Sequence, residues 1–227
     1  MKGTVIVFEG TDGSGKQTQS QKCLEALVAR GISVRMISFP RYEHPSSALV
    51  KKYLDGEFGE NAKDVDAYKA SSFYAIDRFI AFDKELKQFL HDGGVLLLDR
   101  YTTSSMLHQG GKIGETRERE AFFSWVESLE YETYQLPRPK KVFYLMVPPW
   151  KNMSLMHDRK HRFEDSKKKD IHERDFDHLA EAFENGMYLV ESRGWELISC
   201  LDEEKNMRSI EDIHSEILGS VLSLLNR

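Results

Sequence analysis

The chain has 227 residues, 40% of them hydrophobic, with 32 lysines and arginines against 37 aspartates and glutamates, a formal net charge of −5. That is enough apolar material for one sizeable core without staples, and the acidic balance argues against a general binder of nucleic acid or of an anionic membrane. Cys23 and Cys200 stand alone, with no C-x-x-C spacing, which argues against a disulfide framework or a cysteine zinc site and makes a reducing cytosol the expected compartment.

In chain order, the first element is a buried-type strand, Thr4 to Phe8. Gly10, Thr11, Asp12, Gly13, Ser14, Gly15, Lys16, Gln17 and Thr18 follow, and a helical pattern from Thr18 to Arg30 is stopped by Gly31. Strand, glycine-rich loop and helix in this order suit a phosphate cradle. Glycines let backbone N–H groups turn onto a polyphosphate, the helix points its positive end at the same anion, and Lys16 adds a mobile cation. Gln17 departs from the pattern, which has Ser or Thr there. The plainer alternative is a glycine-rich turn that binds nothing.

Further strands are expected at Ser33 to Phe39, Val95 to Asp99, Lys141 to Val147 and Trp195 to Cys200, with crossover-length segments between them. The expectation is an α/β fold with a five-stranded parallel, doubly wound sheet, in one domain over residues 1–227 without a linker. No basic-apolar-small signal pattern opens the chain. The longest apolar run, Val142 to Val147, ends at Pro148-Pro149 and is too short to cross a bilayer, so a soluble cytoplasmic protein is expected.

Ligands of open α/β sheets gather at the carboxyl ends of strands. Phe39-Pro40-Arg41-Tyr42 follow the second strand; Asp99-Arg100-Tyr101 follow the third, with Ser104 and Gln109 downstream. Asp99 suits a Walker-B-type acid holding Mg2+, and Arg100 can fork onto a phosphate; a plain ion pair is the alternative. In a helical stretch from Tyr68 to His91, Tyr74 and Arg78 lie four residues apart on one face. A ring there can stack on a nucleobase while the guanidinium, which only donates, reads a keto edge; ordinary packing is the alternative. Arg159 to Arg174 carries seven basic and four acidic residues, either a solvated surface or a lid over a phosphate chain at about residues 157–175.

Together these residues resemble the thymidylate kinase family of P-loop nucleoside monophosphate kinases. The likeness runs from Phe8-Glu9-Gly10 through Phe39-Pro40, Phe73 to Arg78, Asp99-Arg100-Tyr101 and Leu136-Pro137-Arg138-Pro139 to the basic stretch. The resemblance implies a P-loop NTPase fold of three α/β/α layers with a short lid, and transfer of the ATP γ-phosphoryl group to dTMP with Mg2+. It makes Asp12 the loop carboxylate near the sugar and acceptor phosphate, Lys16 the phosphate-bridging lysine, and Arg100 the acceptor-phosphate arginine. Tyr74 falls where the family stacks a phenylalanine on the base, Arg78 matches the reader of the base O4, and Gln109 matches the glutamine beside the base. Gly13 in the loop implies catalytic arginines from the lid, with Arg159 and Arg162 foremost and Lys160 next. A homodimer is also implied. His108 stands where the family has an aromatic that screens the sugar 2′ position, Arg41 lies one position early for the acceptor-side arginine, and Gln17 replaces the metal-ligating hydroxyl. A related kinase with another acceptor, such as dUMP, and a non-catalytic nucleotide binder remain as alternatives; the Asn-Lys-x-Asp guanine motif is absent from the sequence.

Overall fold

The computed structural model describes residues 2–59, 61–151 and 176–225. Among these, β1 (Thr4–Glu9), β2 (Val34–Ser38), β3 (Val95–Asp99), β4 (Lys141–Met146) and β5 (Glu196–Ser199) pair in parallel in the order β2-β3-β1-β4-β5. β1 and β3 are buried from end to end, which is why they read as unbroken apolar runs: a parallel sheet is covered on both faces. The five expected strands are all present, with the edge strands β2 and β5 each one residue shorter at both ends than the sequence suggests.

The helices are α1 (Lys16–Val28), α2 (Ala48–Leu54), α3 (Ala67–Ala81), α4 (Lys87–His91), α5 (Thr102–Ser104), α6 (Thr116–Glu127), α7 (Phe176–Arg193) and α8 (Ile210–Leu225). Alternate residues of β1 divide the core. Ile6 and Phe8 pack with Cys23 and Leu27 of α1 and Ile213, Ile217 and Val221 of α8. Val5 and Val7 share the opposite cluster with Leu90 of α4 and Phe122, Phe123 and Val126 of α6. The result is three layers, helices on each face of one sheet. A smaller, separate cluster joins Val50, Tyr53 and Leu54 from α2 with Val65 and with Ala70 of α3.

The expected long helix from Tyr68 to His91 is present but interrupted: α3 passes through a π-helical turn at Phe82–Leu86 into α4. Asp66 starts it, accepting from the backbone N–H of Tyr68 at 2.9 Å, which satisfies a donor that has no intrahelical partner. No helix of the described residues is long and apolar enough to cross a membrane. Cys23 and Cys200 are both buried free thiols, packed rather than bridged. The basic stretch with Arg159, Lys160 and Arg162, expected to form a lid, lies outside the described residues.

Candidate active site

Pairing of β1 with β3 sets the site, because the register places Phe8 beside Asp99. The loop after β1 and the turn after β3 therefore leave the sheet as neighbours, and the backbone N–H of Arg100 donates to Phe8 O at 3.1 Å. The loop depends on two glycines in particular. Gly15 caps α1 in the left-handed region at φ 90°. Gly10, at φ 145°, approaches so closely that a Cβ would meet Ser14 Oγ at 2.6 Å and Leu145 O at 2.7 Å.

Helix α1 begins at Lys16, two residues earlier than the sequence pattern suggests, so Lys16 and Gln17 sit in its first turn. Asp12, Gly13, Gly15, Lys16, Gln17, Thr18, Asp99 and Arg100 line a cavity of about 180 Å³. The Lys16 ammonium donates to Gly10 O and Thr11 O, each at 2.9 Å. Burial, with the Arg100 cation beside it, pulls this lysine down to about 8 against the opposing pull of Asp12, Asp99 and Glu9. Asp99 accepts from Ser38 Oγ at 3.1 Å on Oδ2, while its buried Oδ1 has no partner among the described residues.

A second cavity, of about 350 Å³, opens on the other side of Asp12 and Arg100. Its walls include Phe39, Pro40, Tyr42, Leu54, Tyr74, Arg78, Ser104, His108 and Gln109. It is partly apolar with a few converging polar groups, as small-molecule sites are. Asp12 and Arg100 line both cavities and are ion-paired with each other. Arg100 also meets His108 Nε2 at 2.6 Å. Its backbone lies at φ 69°, rare for a residue with a Cβ and characteristic of functional positions. Burial works against the Arg100 charge, but Asp12, Glu9 and Asp99 outweigh it and hold its pKa above the ordinary value.

Tyr74, Arg78, Ser104, His108 and Gln109 are thus brought together in one cleft with Phe39, and Gln109 Oε1 is buried without a partner among the described residues. Arg41 is not. Its backbone N–H and Nε donate to Asp77, at 2.8 and 3.0 Å, its Nη1 to Glu85 at 2.6 Å and its Nη2 to Ser46 at 3.0 Å, and it is not among the lining residues. Its guanidinium is consumed in tying the β2–α2 connection to α3, and Tyr42 takes the place in the wall.

Two buried carboxylates that sequence reasoning passes over organise the cleft. Glu9, fully buried at the end of β1, accepts from Thr103 Oγ1 at 2.6 Å, Ser104 Oγ at 2.7 Å and the Tyr101 N–H at 3.2 Å. Burial raises its pKa in spite of Arg100 and those hydroxyls. Glu130, in the π-helical turn Ser128–Thr133 after α6, pairs with Arg78. A glutamate closing an apolar strand is a readable signal for Glu9; Glu130 carries none, since its partner is 52 residues away.

Five parallel strands, a glycine-rich loop into a helix N-terminus, and a second cleft joined to the loop cavity through an Asp–Arg pair define a P-loop protein of the nucleotide-phosphotransferase class. A family model for thymidylate kinase matches residues 8–198. The probable thymidylate kinase of Staphylothermus marinus is 30% identical over 217 residues, 95% of this chain and 96% of that one. The thymidylate kinase of Plasmodium falciparum is 30% identical over 148 residues, and that of Homo sapiens 29% over 146; the aligned parts span 65% and 64% of this chain and 63% and 62% of those relatives. The chain belongs to the thymidylate kinase family, whose members are nucleoside monophosphate kinases.

Proposed function

We propose that the protein moves the γ-phosphoryl group of ATP to dTMP, giving ADP and dTDP. The observation that carries this is the pair Asp12–Arg100, common to the walls of both cavities. A donor polyphosphate in the loop and an acceptor phosphate in the cleft would meet at Arg100, with no intervening element to cross. The acceptor phosphate is already a nucleophile at neutral pH, so the protein's task is alignment and neutralisation of charge on the transferred oxygens. Lys16 from the start of α1 and Arg100 from the turn after β3 would supply cations, and the loop N–H groups would add their dipoles. Asp12, held by Arg100, lies where the acceptor sugar and phosphate would approach the loop.

Mg2+ fits this donor pocket on the chemistry of its walls: Asp99, whose Oδ1 has no partner among the described residues, lines the cavity together with Gln17 and Thr18. Asp99 and Gln17 would hold it, and when bound it would neutralise charge on the donor phosphates. In the cleft, Tyr74 would stack on the base, Arg78 and Gln109 would meet its polar edge, and Phe39, Ser104 and His108 would border the rest of the nucleotide. Arg159 and Arg162 are proposed from the sequence alone as the lid-side catalytic arginines. Family likeness further supports a cytoplasmic homodimer; exposed Ile76 and Phe79 on α3, the latter in tilted ring contact with Tyr134, offer apolar surface for it.

The deciding experiment is steady-state phosphoryl transfer from ATP across dTMP, dUMP, dCMP and UMP. Preference for dTMP supports the assignment, preference for another monophosphate replaces the acceptor, and nucleotide binding without transfer refutes the kinase reading.

A further inference from the structure

The Arg78–Glu130 pair is nearly sealed from solvent, with side-chain exposures of 2% and 1%. The contact is bidentate: Arg78 Nε donates to Glu130 Oε2 and Nη2 to Oε1, both at 2.6 Å. Nη2 also donates to Ser105 Oγ at 2.8 Å, and Thr102 Oγ1 donates to Glu130 Oε2 at 2.8 Å. Two parallel bonds fix the plane of a guanidinium as well as its position. They use the Nε–Nη2 edge, so Nη1 is the guanidinium nitrogen left for the cleft that Arg78 lines.

Charge matters as much as geometry. An unpaired arginine this deeply buried would be a strong anion trap, and the cleft already has Arg100 for a phosphate. Paired with Glu130, Arg78 presents a directed N–H donor with its net charge cancelled. A sealed ion pair is poor evidence for a stabilising role, because apolar residues of similar size often stabilise as well or better.

We infer that Glu130 is a positioning residue for acceptor recognition: it locks the Arg78 guanidinium so that Nη1 reads a neutral carbonyl on the base, and it prevents that end of the cleft from taking a second anion. This rests on the reading of the cleft as the monophosphate site. A cytosine-type amino group would place donor against donor at Nη1, so the lock would also set discrimination between keto and amino pyrimidines.

The test compares the wild type with Glu130→Gln, Arg78→Leu and the double variant Arg78→Leu/Glu130→Leu, measuring KM for dTMP and ATP, kcat, dTMP-over-dCMP preference and thermal unfolding. The glutamine keeps the shape, but its amide faces an arginine donor and its charge is gone. We expect KM for dTMP to rise roughly tenfold or more, the size of one lost hydrogen bond to a charged group. Preference over dCMP should fall by a similar factor, with KM for ATP within about twofold. Adding Glu130→Leu to Arg78→Leu should raise KM for dTMP no further, because Glu130 acts only through the arginine; if Arg78→Leu, which orphans the Glu130 charge, fails to fold, Arg78→Leu/Glu130→Gln replaces it as the reference, and neither double variant holds an orphaned buried charge. Unchanged dTMP KM and preference in folded Glu130→Gln, equal losses for dTMP and ATP, or a further KM rise in the double variant would each overturn the inference. A wild type that uses another monophosphate, whose KM Glu130→Gln raises, would retain the positioning role and refute the dTMP assignment instead.

Discussion

Replacing Arg100 separates two properties combined at one residue, a left-handed backbone and a cation common to both cavities. At φ 69° a side chain with a Cβ is strained by roughly 1–2 kcal/mol, a strain glycine does not carry. Glycine gives back about 0.5–1 kcal/mol through its freer unfolded chain, so Arg100→Gly should be more stable than Arg100→Ala by about 0.5–1 kcal/mol. Both variants lose the contacts to Asp12 and His108, which therefore cancel in the comparison. For a chain of this size the difference corresponds to about 1–4 °C in Tm. Activity should not follow stability: under the proposed function both variants lose a cation at the transferred phosphoryl group, and kcat should fall about 10²–10³-fold in each. Arg100→Lys, which keeps charge but not the fork, should fall between them and the wild type. Calorimetry and coupled ADP-release kinetics on the same preparations give both quantities. An alanine variant as stable as the glycine variant would refute the strain reasoning, and kcat within about tenfold of wild type would refute Arg100 as a phosphate-facing cation.

Lys16→Ala should reduce turnover by at least about 10²-fold while leaving the cooperative unfolding transition intact, since it removes a desolvated cation rather than core volume; steady-state kinetics with circular dichroism check this, and unchanged turnover would remove the loop from the mechanism. Lys112 donates to Tyr53 Oη at 3.0 Å and Val65 O at 3.1 Å, and burial pulls it down to about 8, against Asp66. Between pH 8 and its ordinary value the unfolded chain holds the extra proton, so stability should rise with pH across that window and fall as pH drops toward 8; urea unfolding of wild type and Lys112→Met should show a steeper rise in the wild type, and parallel curves would contradict the linkage. A methyl on Gly186 would overlap the buried Tyr144 ring, so Gly186→Ala should destabilise by about 1–3 kcal/mol, measured as a lower urea midpoint at unchanged slope.

The sheet was legible because both of its determinants are local: apolar runs long enough for a strand, and intervening segments long enough for a crossover. The phosphate loop was legible for the same reason, with all its residues consecutive. Tyr74 and Arg78 could be put on one face from helical spacing, but the same spacing held no information about Glu130 across the fold. Arg41 shows the limit most clearly. It follows a strand end, where ligands collect, yet three acceptors on α3, the π-helical turn after it and the β2–α2 connection compete for its guanidinium and win. An arginine's partners depend on which carboxylates the tertiary structure brings near, and Asp77 and Glu85 lie 36 and 44 residues downstream.

The two cavities differ in what a nucleotide must displace. In the loop, the Lys16 ammonium is engaged by two carbonyls at 2.9 Å, so a polyphosphate would take the lysine only by exchanging charge-assisted bonds worth about 1.5–3 kcal/mol each. In the cleft, Arg78 keeps its bonds to Glu130 and Ser105 and offers a nitrogen that they do not use, while Gln109 Oε1 waits without a partner among the described residues. Under the proposed function the base end would therefore be preorganised and the donor loop not, a division that would save ordering on the acceptor side and make donor affinity depend on how well phosphates replace the loop's own contacts. Arg100 joins the two: on this reading an acceptor phosphate would compete with Asp12 for it, so the residue that connects the cavities would also be the one whose partner changes when they fill.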